Sequence, residues 1–104
     1  MEQTFANLKE LMDFDFSNLT ASKSNYLTIL GSNGLPKIRK GQNINKWRVV
    51  ERPKALVEPK ISMELTPRWL TIIIYPEKGQ KSRRIDIDRS KRDPKVILQG
   101  IFEL

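Results

Sequence analysis

The sequence predicts a single α+β or mainly β domain, with an N-terminal helix packed on a small curled sheet or barrel of five to six mostly antiparallel strands. Two observations support this fold. Short alternating or β-branched runs recur between turn signals after residue 25, whereas helical spacing is clearest near the N-terminus. The length of 104 residues allows one hydrophobic core of moderate size.

The N-terminal part has the pattern of an amphipathic helix. Residues 2–13 have apolar side chains at three- and four-residue spacing, which predicts a short helix. We therefore divide the domain into an N-terminal helix with its extension (1–16), a polar linker rich in Ser, Thr and Asn (17–25) and a basic, β-rich body (26–104).

The body begins with a predicted hairpin. Residues 26–30 form a β-type run, and residues 31–34, with the sequence Gly-Ser-Asn-Gly, predict a tight turn because Gly and Asn tolerate positive φ. Residues 35–39 would be the returning strand. Pro36 restricts that strand to an edge or makes it a strand start, because proline cannot donate a ladder hydrogen bond.

Three further runs predict strands in the middle of the chain. Residues 47–52 and 61–65 alternate between apolar and polar side chains. Trp69–Tyr75 is apolar on both faces, so we expect it to be a central strand that is covered on both sides. The cover would come from closure of a barrel, or from the N-terminal helix on one side and the sheet on the other.

A turn at residues 76–79 leads into the last well-patterned strand, residues 81–88. Ile85 and Ile87 point inward in this prediction, and Arg84, Asp86 and Asp88 point outward.

The C-terminal segment allows two structures. Asp93 followed by Pro94 is a helix start signal, but residues 96–102 are rich in β-branched side chains and contain Gly100. We predict a final strand that begins near residue 96 and runs to the C-terminus, and the alternative is a short helix.

The residues that are missing exclude several functions. The chain has no Cys and no His, which removes disulfides, zinc fingers and every catalytic site that uses a thiol or an imidazole. No motif indicates a cofactor or a metal, so we expect a non-enzymatic protein. Trp69–Tyr75, the longest apolar run, is far shorter than the about 20 residues of a membrane span. Because Met1 is followed by Glu2, no secretory signal is predicted, and we expect a cytoplasmic protein that does not bind membranes.

The charge points to an acidic partner. The net charge is +7, and the basic residues are concentrated in two stretches, 37–60 and 78–92. A solvated surface is the simpler interpretation of each stretch. We expect the two stretches to meet and to bind nucleic acid through its phosphates, whatever its type. The residues expected to contact nucleic acid are Lys37, Arg39, Lys40, Trp47, Arg48, Lys78, Lys81, Arg83, Arg84, Arg89, Lys91 and Arg92.

Trp47 has two interpretations, because it lies between Lys46 and Arg48 within a predicted strand. It either packs in the core or stacks on a base beside phosphate contacts.

Two other functions are compatible with the sequence. The first is a protein-interaction or assembly module whose basic face meets an acidic protein, and a homo-oligomer is compatible with it. The second is a metal-dependent nuclease that would use Asp86, Asp88 and Glu58. Arginines across the sheet can neutralise the two aspartates instead.

Overall fold

The computed structural model of the chain describes residues 1–19, 23–41 and 46–103. Within these residues six strands form one sheet in the order β1-β2-β4-β5-β6-β3. The strands are β1 (Glu2–Phe5), β2 (Asn25–Leu30), β3 (Arg48–Val50), β4 (Lys60–Leu65), β5 (Trp69–Tyr75) and β6 (Ser82–Asp88). β1 and β2 are parallel, and all other neighbours are antiparallel. The sheet curls without closing, which confirms the α+β prediction.

One face of the sheet, the inner face, bears the hydrophobic core. Alternate side chains of the two central strands, β4 and β5, are buried there. They are Ile61, Met63, Leu65, Leu70, Ile72 and Ile74. Leu11 in the N-terminal helix and Leu98 in the C-terminal helix are fully buried in the same cluster. Both helices therefore cover the inner face.

The N-terminal helix, α1 (Leu8–Asp13), is shorter than predicted. Residues 2–5 form β1 instead, so the prediction of a helix over 2–13 is wrong for its first turn. Phe5 is buried while Glu2 and Thr4 are exposed, an alternation that fits an edge strand. Asn7 sets the start of α1, because its side-chain oxygen accepts a hydrogen bond from the Glu10 N–H at 2.9 Å.

The C-terminal segment is a helix, α2 (Pro94–Ile101), so the prediction of a final strand is wrong and the alternative is correct. Asp93 caps the helix by accepting a hydrogen bond from the Lys95 N–H at 2.9 Å, and Pro94 occupies the first turn. Leu98 and Ile101 are buried on one side of the helix. The burial of this stripe outweighs the strand propensity of the β-branched residues.

The predicted strand over residues 35–39 is absent. The turn forms a 3-10 helix at Ser32–Gly34, and only Ile38 makes a β-bridge, to Phe102. The chain is instead held along the end of α2, where the Arg39 N–H donates to the Ile101 carbonyl at 2.7 Å. Gly34 packs closely against Ala6, the residue that follows β1. A Cβ at Gly34 would overlap the backbone carbonyl oxygen of Ala6.

The opposite face of the sheet is called the outer face. We expected a second layer to cover it, but among the described residues no helix packs on this face. β5 is central in the sheet, as predicted, but only Leu70, Ile72 and Ile74 are buried. Trp69, on the outer face, is 42% exposed. The prediction that β5 is covered on both sides is therefore wrong for the described part of the chain, because both helices pack on the inner face.

The predicted linker over residues 17–25 lies only partly within the described residues. Phe16–Asn18 forms a 3-10 helix and Asn25 begins β2, while residues 20–22 lie outside the described residues. No helix among the described residues is long and apolar enough to cross a membrane.

Candidate nucleic-acid interface

The two basic stretches meet where β3 pairs with β6. Arg48 lies opposite Arg84, and Val49 lies opposite Arg83. β3 belongs to the first stretch and β6 to the second, so one antiparallel pair joins segments that are more than thirty residues apart in the sequence. The expectation that the stretches come together therefore holds at this edge of the sheet.

The arginine pair shares one carboxylate. The Arg48 Nη2 lies 2.9 Å from one oxygen of Asp86, and the Arg84 Nη2 lies 3.0 Å from the other. The Thr71 hydroxyl on β5 donates to the same carboxylate at 2.7 Å. Like charges directly opposite each other destabilise a sheet, and Asp86 offsets that repulsion.

The titration of these groups follows from the same contacts. The hydrogen bond from Arg84, helped by that from Thr71, lowers the pKa of Asp86 against the opposing effect of burial. The hydrogen bond to Asp86 in turn raises the pKa of Arg84. Asp86 and Arg84 are therefore both ionised at neutral pH. Together with the charge of Arg48, the cluster has a net charge of +1.

One end of β6 is the turn that joins it to β5. Lys78 and Lys81 are exposed there, and Gly79 has a positive φ of 98° that the turn requires. The guanidinium of Arg52, beyond β3, donates a hydrogen bond to the Pro76 carbonyl. This contact holds the segment after β3 against the turn.

The other end of β6 leads into a basic loop that folds on itself. Arg89 donates to the carbonyls of Thr66 at 2.9 Å and of Pro67 at 3.1 Å, and Arg92 donates to the Asp88 carbonyl at 2.7 Å. Burial lowers the pKa of Arg89, while Asp93 opposes that change. These two arginines hold the loop together, whereas Lys91 between them is exposed.

Six cations along the outer face of β6 and at its two ends form a basic track, and all of them are exposed except Arg84, which is half-buried. The basic track consists of Lys78, Lys81, Arg84, Arg48, Arg68 and Lys91. The seven residues of β6 separate its two ends by about 20 Å at the usual rise of ~3.3 Å per residue. Asp86 and Asp88 on β6 are each ion-paired with arginine. Two further carboxylates lie near the basic track, namely Glu77 beside Lys78 in the turn and Glu64 on β4, opposite Thr71.

Comparison with protein-family models, curated proteins and solved structures finds no match to this chain.

The remaining predicted contact residues lie away from the basic track. Arg83 points to the inner side of β6, and its guanidinium lies 5.9 Å from the ring centroid of Trp47. Trp47 is partly buried against the core, as its core interpretation expects. Lys37 and Arg39 lie beside the end of α2, where the Arg39 Nε donates to the Gln99 carbonyl at 2.8 Å, and Lys40 is the exposed residue that follows.

The acidic residues of the nuclease hypothesis do not converge. Asp86 and Asp88 share the outer face of β6, as predicted, but Asp86 binds arginines, and Asp88 accepts from the Ser90 hydroxyl and pairs with Arg68 at 3.5 Å. Within residues 1–19, 23–41 and 46–103, no three acidic side chains are grouped closely enough to hold a metal ion.

Three aromatic side chains on the outer face were not among the predicted contact residues. Tyr26 is 46% exposed, Trp69 is 42% exposed and Tyr75 is half-buried. Arg68 lies 5.5 Å from the Trp69 ring centroid, and Lys60 lies 5.7 Å from that of Tyr75. The alternation of β5 places Trp69 and Tyr75 on one face, but nothing in the local pattern says that this face is open.

Proposed function

We propose that this protein binds nucleic acid without catalysing a reaction, and that the phosphate backbone follows the basic track along β6. The observation that supports this proposal is the pairing of β3 with β6, which joins the two basic stretches at one sheet edge. Each phosphate that a lysine or arginine neutralises releases counterions, so binding will weaken steeply as the salt concentration rises.

The contacts of the cations indicate which of them contribute most to binding. Lys78, Lys81 and Lys91 are exposed and make no ion pair within the described residues, so their charges are free for phosphates. Arg48 and Arg84 share Asp86 and contribute less charge. The lysines at the two ends of β6 therefore set the affinity, and the arginine pair between them sets the direction of the backbone.

The test is binding of the protein to single- and double-stranded DNA and RNA across a salt series, measured by fluorescence anisotropy. Lys81→Glu is compared with Lys9→Glu, which makes the same charge change at an exposed site. Lys9 lies on α1, which covers the inner face, on the side of the sheet opposite to the outer face. We expect Lys81→Glu to lower affinity about threefold to tenfold and to reduce the salt slope by about 1, uniformly across sequences. We expect Lys9→Glu to have a much smaller effect.

Two outcomes contradict the proposal. The absence of binding to all four nucleic acids at low salt is one of them. The other is an equal loss in Lys81→Glu and Lys9→Glu, since that result would mean that net charge alone causes the attraction. An acidic protein that binds where nucleic acid does not would favour the assembly module instead.

A further inference from the structure

We propose that Trp69 stacks on a base of the bound nucleic acid, so that the protein selects single strands over duplexes. This inference rests on the proposed function and adds to it a stacking residue and a class of nucleic acid. Bases that are paired in a duplex present their edges rather than their faces, whereas an unpaired base can lie flat on an aromatic ring.

Trp69 is accessible in a way that Trp47 is not. The Trp69 side chain lies on the outer face and is 42% exposed, whereas Trp47 is partly buried against the core. Each ring has an arginine near one face, so burial is what distinguishes the two tryptophans. Base stacking needs an exposed ring face, so Trp69 is the tryptophan that fits this role.

The residues around Trp69 carry mostly positive charge. Its register partner on β6 is the carboxylate Asp88, but that carboxylate is ion-paired with Arg68 at 3.5 Å. Arg68 also lies 5.5 Å from the ring centroid of Trp69. The loop after β6 is anchored to the same corner, because the Arg89 N–H donates to the Arg68 carbonyl at 2.7 Å and the Lys91 N–H donates to the Pro67 carbonyl at 3.2 Å. Trp69 therefore lies at the end of the basic track, where a base stacked on it has phosphate-binding side chains close by.

Tyr26 provides an internal contrast on the same face. Its exposed fraction, 46%, is close to that of Trp69. Its neighbours in register are Glu2 on β1 and Glu64 on β4, so carboxylates flank it on both sides. A phosphate backbone is repelled there, and we infer that the strand stays on the β5, β6 and β3 side of the sheet.

The experiment compares two alanine variants with single- and double-stranded DNA of one sequence. We expect Trp69→Ala to lower affinity for the single strand about fivefold to a hundredfold, the usual range for loss of one stacked base, and to leave duplex affinity nearly unchanged. Trp69→Phe should retain most of the single-strand affinity because a ring remains. Tyr26→Ala is the control and should change affinity less than about twofold. Circular dichroism checks that each variant is folded.

A direct optical measurement supplements the affinities. In a Trp47→Phe background the tryptophan emission comes from Trp69 alone, since the chain has two tryptophans. Single strands should quench that emission at saturation, and duplexes should quench it far less.

Three results overturn this inference. They are an equal loss in Trp69→Ala and Tyr26→Ala, no loss in either variant, and an equal loss for single strands and duplexes in Trp69→Ala. If Lys81→Glu still weakens binding in these cases, only the stacking role of Trp69 is wrong. If Lys81→Glu and Lys9→Glu are indistinguishable, the proposed function itself fails.

Discussion

Arg48 and Arg84 lie directly opposite each other on antiparallel strands, and both bind the carboxylate of Asp86. Removing that carboxylate leaves two cations in contact distance across the ladder. We expect Asp86→Asn to lower the free energy of unfolding by about 1 kcal/mol, the upper range for partly exposed ion pairs. Urea unfolding measures the change. Glu77→Gln, at the exposed turn, should change stability by less than about 0.3 kcal/mol.

The same substitution should strengthen binding to nucleic acid. Asp86 is a negative charge beside the basic track, and its removal leaves Arg48 and Arg84 free to contact phosphates. We expect Asp86→Asn to raise affinity about twofold to fivefold at low salt, with the gain shrinking at high salt because of screening. Unchanged or weaker binding by the folded variant would mean that the arginine pair does not face the phosphates.

Stability should fall as the solution becomes acidic. Hydrogen bonds from Arg84 and Thr71 lower the pKa of Asp86, and a hydrogen bond from Ser90 lowers that of Asp88. A carboxyl whose pKa is lowered by folding stabilises the protein above the ordinary aspartate pKa of about 3.9, and this contribution disappears as pH falls through the lowered value. Urea unfolding at about pH 5 and at about pH 3 should show the loss, and Asp86→Asn should show a smaller one.

Gly34 should not tolerate a side chain. A Cβ at Gly34 would overlap the backbone oxygen of Ala6, whereas a Cβ at Gly100, in α2, would meet no atom within 4 Å. We expect Gly34→Ala to cost about 1–3 kcal/mol of stability, and Gly100→Ala to add about 0.5–1 kcal/mol because alanine favours a helix. If this packing is correct, thermal unfolding gives a lower Tm for Gly34→Ala and a higher Tm for Gly100→Ala.

The start of α2 should depend on Asp93. Its side chain accepts the Lys95 N–H hydrogen bond at 2.9 Å, so Asp93→Ala should cost about 1 kcal/mol. Gln99→Ala, at an exposed position of the same helix, tests whether any change in α2 has this effect and should be close to neutral. Equal destabilisation by both would argue against the cap.

The sequence predicts those elements whose patterns are local. Trp69–Tyr75 is observed with the predicted bounds, because it is long, apolar and flanked by prolines on both sides. β1 could not be predicted, because its four residues form a strand only through pairing with β2, and the same residues fit a helical stripe. The β-branched residues of α2 predict a strand, whereas the burial of Leu98 and Ile101 that favours the helix is a property of the whole fold and cannot be read from the local sequence.

The candidate site, too, could be predicted only in part from the sequence. The meeting of the two basic stretches was predicted from charge, but the sequence does not say which cations are already engaged. Arg89 is committed to the backbone carbonyls of a loop, and Arg83 lies on the Trp47 side of β6. Trp69 was expected to be covered, since a strand that is apolar on both faces usually has a layer on each. Only the position of both helices on one face reveals that its ring is accessible.

The path of the chain between β2 and β4 has a consequence for folding. These two strands are neighbours in the sheet, yet the chain between them leaves for the far edge, forms β3 and returns. β4, β5 and β6 follow one another as adjacent strands, so they can assemble from nearby contacts, whereas β3 must close a long loop for three residue pairs with β6. We expect β3 to dock last and to open first, with its amide protons exchanging ahead of those of β5. If nucleic acid binds across β3 and β6 as proposed, it should slow this opening and the exchange of the β3 amide protons.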